Sequence, residues 1–154
     1  MEIEKRLAEL GIDIPTAAAP VANYVPFVVS GSLVSVSGQV PIQDGKIAFV
    51  GKVNIDVSVE DACIAARLCA LNIVAQIKAA CDGDLNRVKR IVKLGGFVNC
   101  SDGFGGQPQI INAASDLMVD IFGDAGRHSR SAVGVNALPL NVPVEIDALV
   151  EISS

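Results

Sequence analysis

A chain of 154 residues that is 51% apolar and 4% aromatic fits one domain with an aliphatic core, which can hold without disulfides or metal. Its net charge of −5 and the lack of any basic run speak against a surface made to grip a phosphate backbone by charge.

Glu2 to Leu10 carries a short helical pattern, with Ile3, Leu7 and Leu10 on one stripe, and Gly11 ends it. The N-terminus, Met1-Glu2-Ile3-Glu4-Lys5-Arg6, is charged and has no apolar segment of the kind a secretory signal needs. Residues 1–15 therefore read as an N-terminal helical extension of a single domain spanning 1–154. Pro15, the alanines and Pro20 read as an extended connection. Phe27-Val28-Val29 and Leu33-Val34-Ser35-Val36 flank Ser30-Gly31-Ser32 as a hairpin. A strand should stop near Pro41, which cannot continue a central ladder. Lys46 to Val53 reads as a further strand after the Asp44-Gly45 turn.

Ser58 suits a helix N-cap, with Glu60 and Asp61 favoured in the first turn. The helix should run to about Cys81 and stop at Asp82-Gly83. Its polar side carries Glu60, Asp61, Arg67, Asn72 and Lys78, and its apolar side Ala62, Ala66, Ala70, Ile73, Val74 and Ile77. Arg67, Asn72 and Gln76 interrupt this most apolar stretch, which falls short of the roughly 20 residues of a membrane span. Val88 to Val98 is a strand with a charged, solvated start. Gly103 to Gly106 is loop. Pro108 suits the first turn of a second helix, whose stripe is Ile110, Ile111, Ala114, Leu117, Met118, Ile121 and Phe122, closed by Gly123. Ser129 to Val135 and Val142 to Ala148 read as two last strands joined by a proline-containing turn.

The order is strands, helix, strand, helix, two strands. That makes an α+β domain of two layers with helices on one sheet face. The other face carries alternating apolar residues that need a cover, and a partner subunit would supply one.

The cysteines, Cys63, Cys69, Cys81 and Cys100, form no Cys-x-x-Cys pair and lie far in sequence from the only histidine, His128. This argues against zinc. They read as small buried hydrophobes in a reducing, cytoplasmic setting. Gly103-Phe104-Gly105-Gly106 lacks the Lys-Ser/Thr ending of a phosphate loop, and no Gly-x-Ser-x-Gly elbow occurs. His128 sits beside Arg127 and Arg130 in an apparent loop. No recognisable motif builds a serine triad through it, so it reads as having no role.

Arg130 and Glu145 remain. Each reads either as a solvated charge or as part of a site. A guanidinium can hold and orient a carboxylate through two parallel hydrogen bonds, and Arg130 stands at the mouth of a strand after a glycine-containing loop. If the last two strands pair directly, Glu145 faces Asn136 and Arg130 lies about 20 Å away. A small substrate cannot touch both from one straight hairpin. Register or curvature must differ, or the site must combine two subunits.

Several fragments, taken in order, resemble the Rid family, also called YjgF-like or endoribonuclease L-PSP. They are Tyr24, Ser37-Gly38-Gln39-Val40-Pro41, Phe97-Val98, Asn112, Arg130-Ser131, Leu138-Pro139 and Val144-Glu145-Ile146. The match runs from about Tyr24 to Val150. Many members carry a cysteine two residues after the arginine, where this chain has Ala132. The N-terminal helix and the Gly123-to-Ser129 loop also set it apart, as a longer-chain subgroup.

The resemblance implies a chorismate-mutase-like two-layer sandwich, with a mixed six-stranded sheet and two main helices on one face. It implies a homotrimer with sites between subunits. The implied activity is hydrolysis of 2-imino or 2-enamino acids to 2-keto acids and ammonium, without metal or cofactor, and without bound pyridoxal phosphate. Arg130 would hold the substrate carboxylate and Glu145 would handle the attacking water. Tyr24, Ser37 and Gly38 would line the pocket, with Asn112 beside them. Two other readings stand: a trimeric protein that binds small acids without turnover, and an endoribonuclease or translation inhibitor, against which the acidic balance speaks.

Overall fold

Ser58 caps the long helix as its sequence demands, its side chain accepting from the Asp61 N–H. A computed structural model of the chain describes residues 2–19 and 23–154. Pro20, the end of the expected extended connection, lies outside the described residues. The elements are α1 (Ile3–Leu10), β1 (Phe27–Ser30), β2 (Leu33–Gln39), β3 (Ile42–Gln43), β4 (Lys46–Ile47), α2 (Val59–Ala80), β5 (Val88–Asn99), α3 (Gln107–Phe122), β6 (Ser129–Val135) and β7 (Val144–Ile152).

The main sheet has the order β1-β2-β7-β5-β6, antiparallel except for β5 and β6. α2 and α3 cover one face of it. The fold class is therefore the expected α+β sandwich. Its strand count departs from six, because β3 and β4 pair with each other and form a separate ribbon. The strand expected over Lys46 to Val53 shrinks to Lys46–Ile47.

The expected direct pairing of the last two strands does not occur. β5 lies between β6 and β7. α3 makes the crossover that parallel β5 and β6 require. The connection back to β7 passes the end of β5, where the Asn99 amide donates to Asn141 Oδ1 and the Val142 carbonyl. Lys52 Nζ ties the same corner by donating to Asn99 Oδ1 and to the Asn136 carbonyl.

The full apolar stripe of α3 is buried, from Ile110 to Phe122. α2 has the length and hydropathy of a membrane span, yet twelve of its residues are buried in this domain. It is the core helix. Asn72, expected on its polar side, is buried; its amide donates to the carbonyls of Val40 and Ile42, 3.0 and 3.1 Å away. A buried amide with both donors paired costs little and fixes the strand end over the helix. α1 buries Ile3 and Leu7, and Arg6 Nε donates to the Asp120 carbonyl near the end of α3.

Alternation along β7 sorts the two faces. Val144, Ile146, Ala148, Val150 and Ile152 are buried under the helices, while Glu145, Asp147, Leu149 and Glu151 point the other way. On that open face Val133, Phe97 and Glu145 form one cross-strand row, and Ser131, Gly95 and Asp147 the next.

Candidate functional site

β2 carries a bulge where it passes β7. Val36 pairs with Ala148 and Gln39 with Ile146, so Ser37 and Gly38 together oppose Asp147. The bulge turns the Gly38 backbone toward Glu145. Ser37 N–H and Oγ–H donate to the carbonyls of Pro26 and Val25, at 2.9 and 2.8 Å. The Ser37 hydroxyl therefore anchors the segment that carries Tyr24.

Tyr24, Gly38 and Glu145 line one cleft of about 420 Å³, together with Pro26, Ile42 and Leu140. Ser37 supports this cleft from behind and is not among its lining residues. Leu140 reaches it from the turn before β7 in a left-handed conformation, φ 59°, which is costly for a residue with a Cβ.

Burial pushes the Glu145 carboxyl above the usual glutamate range, and the charge of Asp147 adds to the rise. Burial also raises Asp147, opposed by the Gly95 N–H and Lys93. Glu145 is thus a carboxyl poised to take a proton. Behind it, the Cys69 thiol donates to the Val144 carbonyl, and burial drives its pKa well up. Cys69 stays a thiol. All four cysteines are free, and among the described residues no cluster of His, Cys, Asp and Glu is arranged to hold a metal.

Arg130 belongs to a different place. It pairs with Leu94 in a row that faces the helices, at the outer edge of the sheet. Nη1 donates to Ser115 Oγ at 3.1 Å and Nη2 to the Pro108 carbonyl at 3.2 Å. Pro108, Asn112 and Ser115 are spaced i, i+4, i+7 along α3, so exposed Asn112 stands on the same stripe, between the two anchors. Among the described residues the guanidinium has no carboxylate within 4.0 Å. Ala132, two residues on, packs against the core.

His128 has partners after all. Nδ1 lies 2.6 Å from the Gly126 carbonyl and Nε2 2.8 Å from Ser115 Oγ. Arg130, Ser115 and His128 therefore form one hydrogen-bonded chain.

Within this chain the two groups do not meet. β5 separates their strands, and the Leu94 and Phe97 levels are three residues apart. The Cα atoms of Arg130 and Glu145 are then about 14 Å apart, with side chains on opposite faces.

A family profile described as "YjgF/chorismate_mutase-like, putative endoribonuclease" matches residues 4–152. The chain belongs to the YjgF/chorismate-mutase-like family. It is 48% identical to Protein TCP17 of Trypanosoma cruzi over 153 residues, covering 99% of this chain and 95% of that one. It superposes on the crystal structure of Atu1372, a protein of unknown function from Agrobacterium tumefaciens, with a TM-score of 0.91 and 53% identity, over 98% and 92% of the two chains. E. coli TdcF with bound serine matches with a TM-score of 0.65 and 29% identity, over 89% of this chain and 94% of that one.

In this YjgF-like chain the sequence singled out Tyr24, Ser37, Gly38, Asn112, Arg130 and Glu145; Tyr24, Gly38 and Glu145 line the cleft, Ser37 stands behind it, and Arg130 and Asn112 stand at the sheet edge. It missed Asp147, which follows Glu145 at the strand period, and Leu140. It also missed Ser115, and it assigned nothing to His128. Spacing along β7 could have signalled Asp147; nothing local could have signalled the others.

Proposed function

We propose that this protein is a hydrolytic deaminase, independent of metal, that converts reactive 2-imino and 2-enamino acids to 2-keto acids and ammonium. The observation that carries this reading is Arg130: a half-buried guanidinium held by neutral oxygens, with no carboxylate partner among the described residues. It keeps its charge and spare N–H groups for a carboxylate. The serine bound in TdcF is a small ligand that carries a carboxylate.

The site is composite. Arg130 and Asn112 of one copy face Glu145, Tyr24 and Gly38 of the next, in a homotrimer that also covers the open sheet face. Opposite orientation of the two side chains and the free edge of β6 support this. With the carboxylate on Arg130, water adds to C2 of the iminium and gives a proton to Glu145. The C=N electron pair moves to nitrogen. Glu145 returns the proton to that nitrogen, the C–N bond breaks, and the hydroxyl closes to C=O as its proton leaves with ammonia as ammonium. A 2-enamino acid enters this sequence after gaining a proton at C3. The raised pKa of Glu145 suits both transfers.

The serine in TdcF equally favours a second reading, a small-acid-binding protein without turnover. The test is the decay of freshly generated 2-iminobutyrate with and without the protein. Acceleration with matching ammonium release, lost in Arg130→Ala, is the expected result. No acceleration by a folded trimer that still binds 2-oxobutyrate leaves the binding reading.

A further inference from the structure

The only histidine of the chain sits at the end of a directional hydrogen-bond chain. The Gly126 carbonyl can only accept, so His128 Nδ1 carries a proton toward it, at 2.6 Å. In the neutral ring Nε2 is then bare and accepts. The single hydroxyl proton of Ser115 goes to Nε2, 2.8 Å away. The lone pairs of Ser115 Oγ are left facing outward, and one accepts from Arg130 Nη1 at 3.1 Å. With the ring neutral, each donor in the series Arg130, Ser115, His128 meets an acceptor.

That carbonyl lies in a tightly packed turn. Gly126 is buried, and a Cβ on it would fall 2.1 Å from the Met118 carbonyl oxygen. The turn before β6 is therefore pressed directly onto the α3 backbone. Ser115 and Pro108 belong to the same α3, two helical turns apart, and both accept from the guanidinium. Arg130 is thus fixed at two points on one rigid helix, one of them braced by His128. A free arginine side chain loses rotamer entropy on binding, and a guanidinium aimed in advance loses less.

We propose that Ser115 and His128 are positioning residues that aim Arg130 at a carboxylate ligand. This rests on the reading of Arg130 as the carboxylate anchor. Without the Ser115 hydroxyl, Nη1 swings free and the bidentate geometry is sampled only part of the time. Without the His128 ring, the Ser115 hydroxyl is free to rotate its proton toward Arg130, where it repels the donor.

Equilibrium binding of 2-oxobutyrate to the full-length protein tests this, using Ser115→Ala, Ser115→Thr, His128→Gln, Arg130→Ala and the Ser115→Ala/Arg130→Ala double variant. Ser115→Ala is expected to weaken binding about tenfold, as loss of one hydrogen bond to a charged group does. Ser115→Thr keeps the hydroxyl and restores binding to within about twofold. His128→Gln falls between, since its amide oxygen can still accept from Ser115. In the Arg130→Ala background Ser115→Ala adds nothing, because the hydroxyl acts through the arginine. Wild-type affinity in Ser115→Ala, alongside lost binding in Arg130→Ala, overturns the positioning role and leaves the anchor intact. So does a loss that Ser115→Thr fails to restore. Wild-type affinity in Arg130→Ala overturns the anchor itself, and the positioning role with it.

Discussion

Glu145 lies across the bare backbone of Gly38. A Cβ at Gly38 would stand 2.4 Å from Glu145 Oε2 and 2.9 Å from Cδ. The obstructed atoms are the far end of a flexible side chain, so the carboxylate can swing aside at small cost in stability. It then leaves the place where it faces the cleft. Gly38→Ala should lower imine hydrolysis about 10²-fold, the cost of misplacing a reacting group by an ångström or so. Its melting temperature should stay within about 3 °C of wild type. Activity retained at wild-type level would mean that the position of Glu145 is immaterial.

Gly126→Ala meets an obstacle of the opposite kind. Its Cβ would run into the Met118 carbonyl oxygen and carbon, at 2.1 and 2.6 Å. Backbone cannot rotate away, so the turn must lift off α3. The expected cost is about 2–3 kcal/mol of overpacking strain, a drop of roughly 5–10 °C in a thermal melt. A melt unchanged from wild type would show that the turn is not pressed on the helix.

The pair Glu145 and Asp147 predicts a particular pH dependence. Both carboxyls are raised by burial, and each native group holds its proton at a pH where the unfolded chain has released it. Between the unfolded and native pKa values the native state binds more protons, so stability falls as pH rises through that window. Glu145→Gln and Asp147→Asn should each raise the melting temperature at neutral pH and leave it unchanged near about pH 3, below the unfolded pKa values. Activity runs the other way, because Glu145 must be ionised to take a proton from water. The acid limb of kcat/KM should lie above the ordinary glutamate range. Asp147→Asn removes the charge that adds to the rise and should move that limb down. A limb that stays put would exclude Glu145 as the group it reports.

Periodicity made the elements legible and left their partners hidden. The α3 stripe from Ile110 to Phe122 repeats at the helical period, and each of its apolar residues is buried as the pattern requires. Ser58 was legible as a cap because capping is a local bond to Asp61. Alternation in Ser129 to Val135 and Val142 to Ala148 marks both as strands, the second running on to Ile152, but cannot say that β5 enters between them. Asn72 looks solvent-facing from its type, and only the carbonyls of Val40 and Ile42, brought over at the junction of β2 and β3, allow it inside. The Ser115–His128 bond spans a helix end and a turn, so no spacing rule reaches it. Arg130 and Glu145 were visible as unusual charges, while their facing away from each other was not.

That opposition gives a test of the composite site that needs no new ligand. Take Arg130→Ala and Glu145→Gln protein, each inactive alone, then unfold and refold them together in equal amounts. If each site takes its arginine from one copy and its glutamate from the next, mixed trimers contain sites in which both native residues meet. With random assembly about one quarter of all sites are restored, and activity should recover to about that fraction of wild type. Refolding each variant separately before mixing should give none until subunits exchange. If instead a single protomer supplied both residues, no mixture could restore a site. The 14 Å separation and opposed faces would then have to close within one chain, against a sheet whose β5 and β7 are fully paired from Val88 to Val98, but for two register shifts, between Val88 and Arg90 and between Ile91 and Lys93.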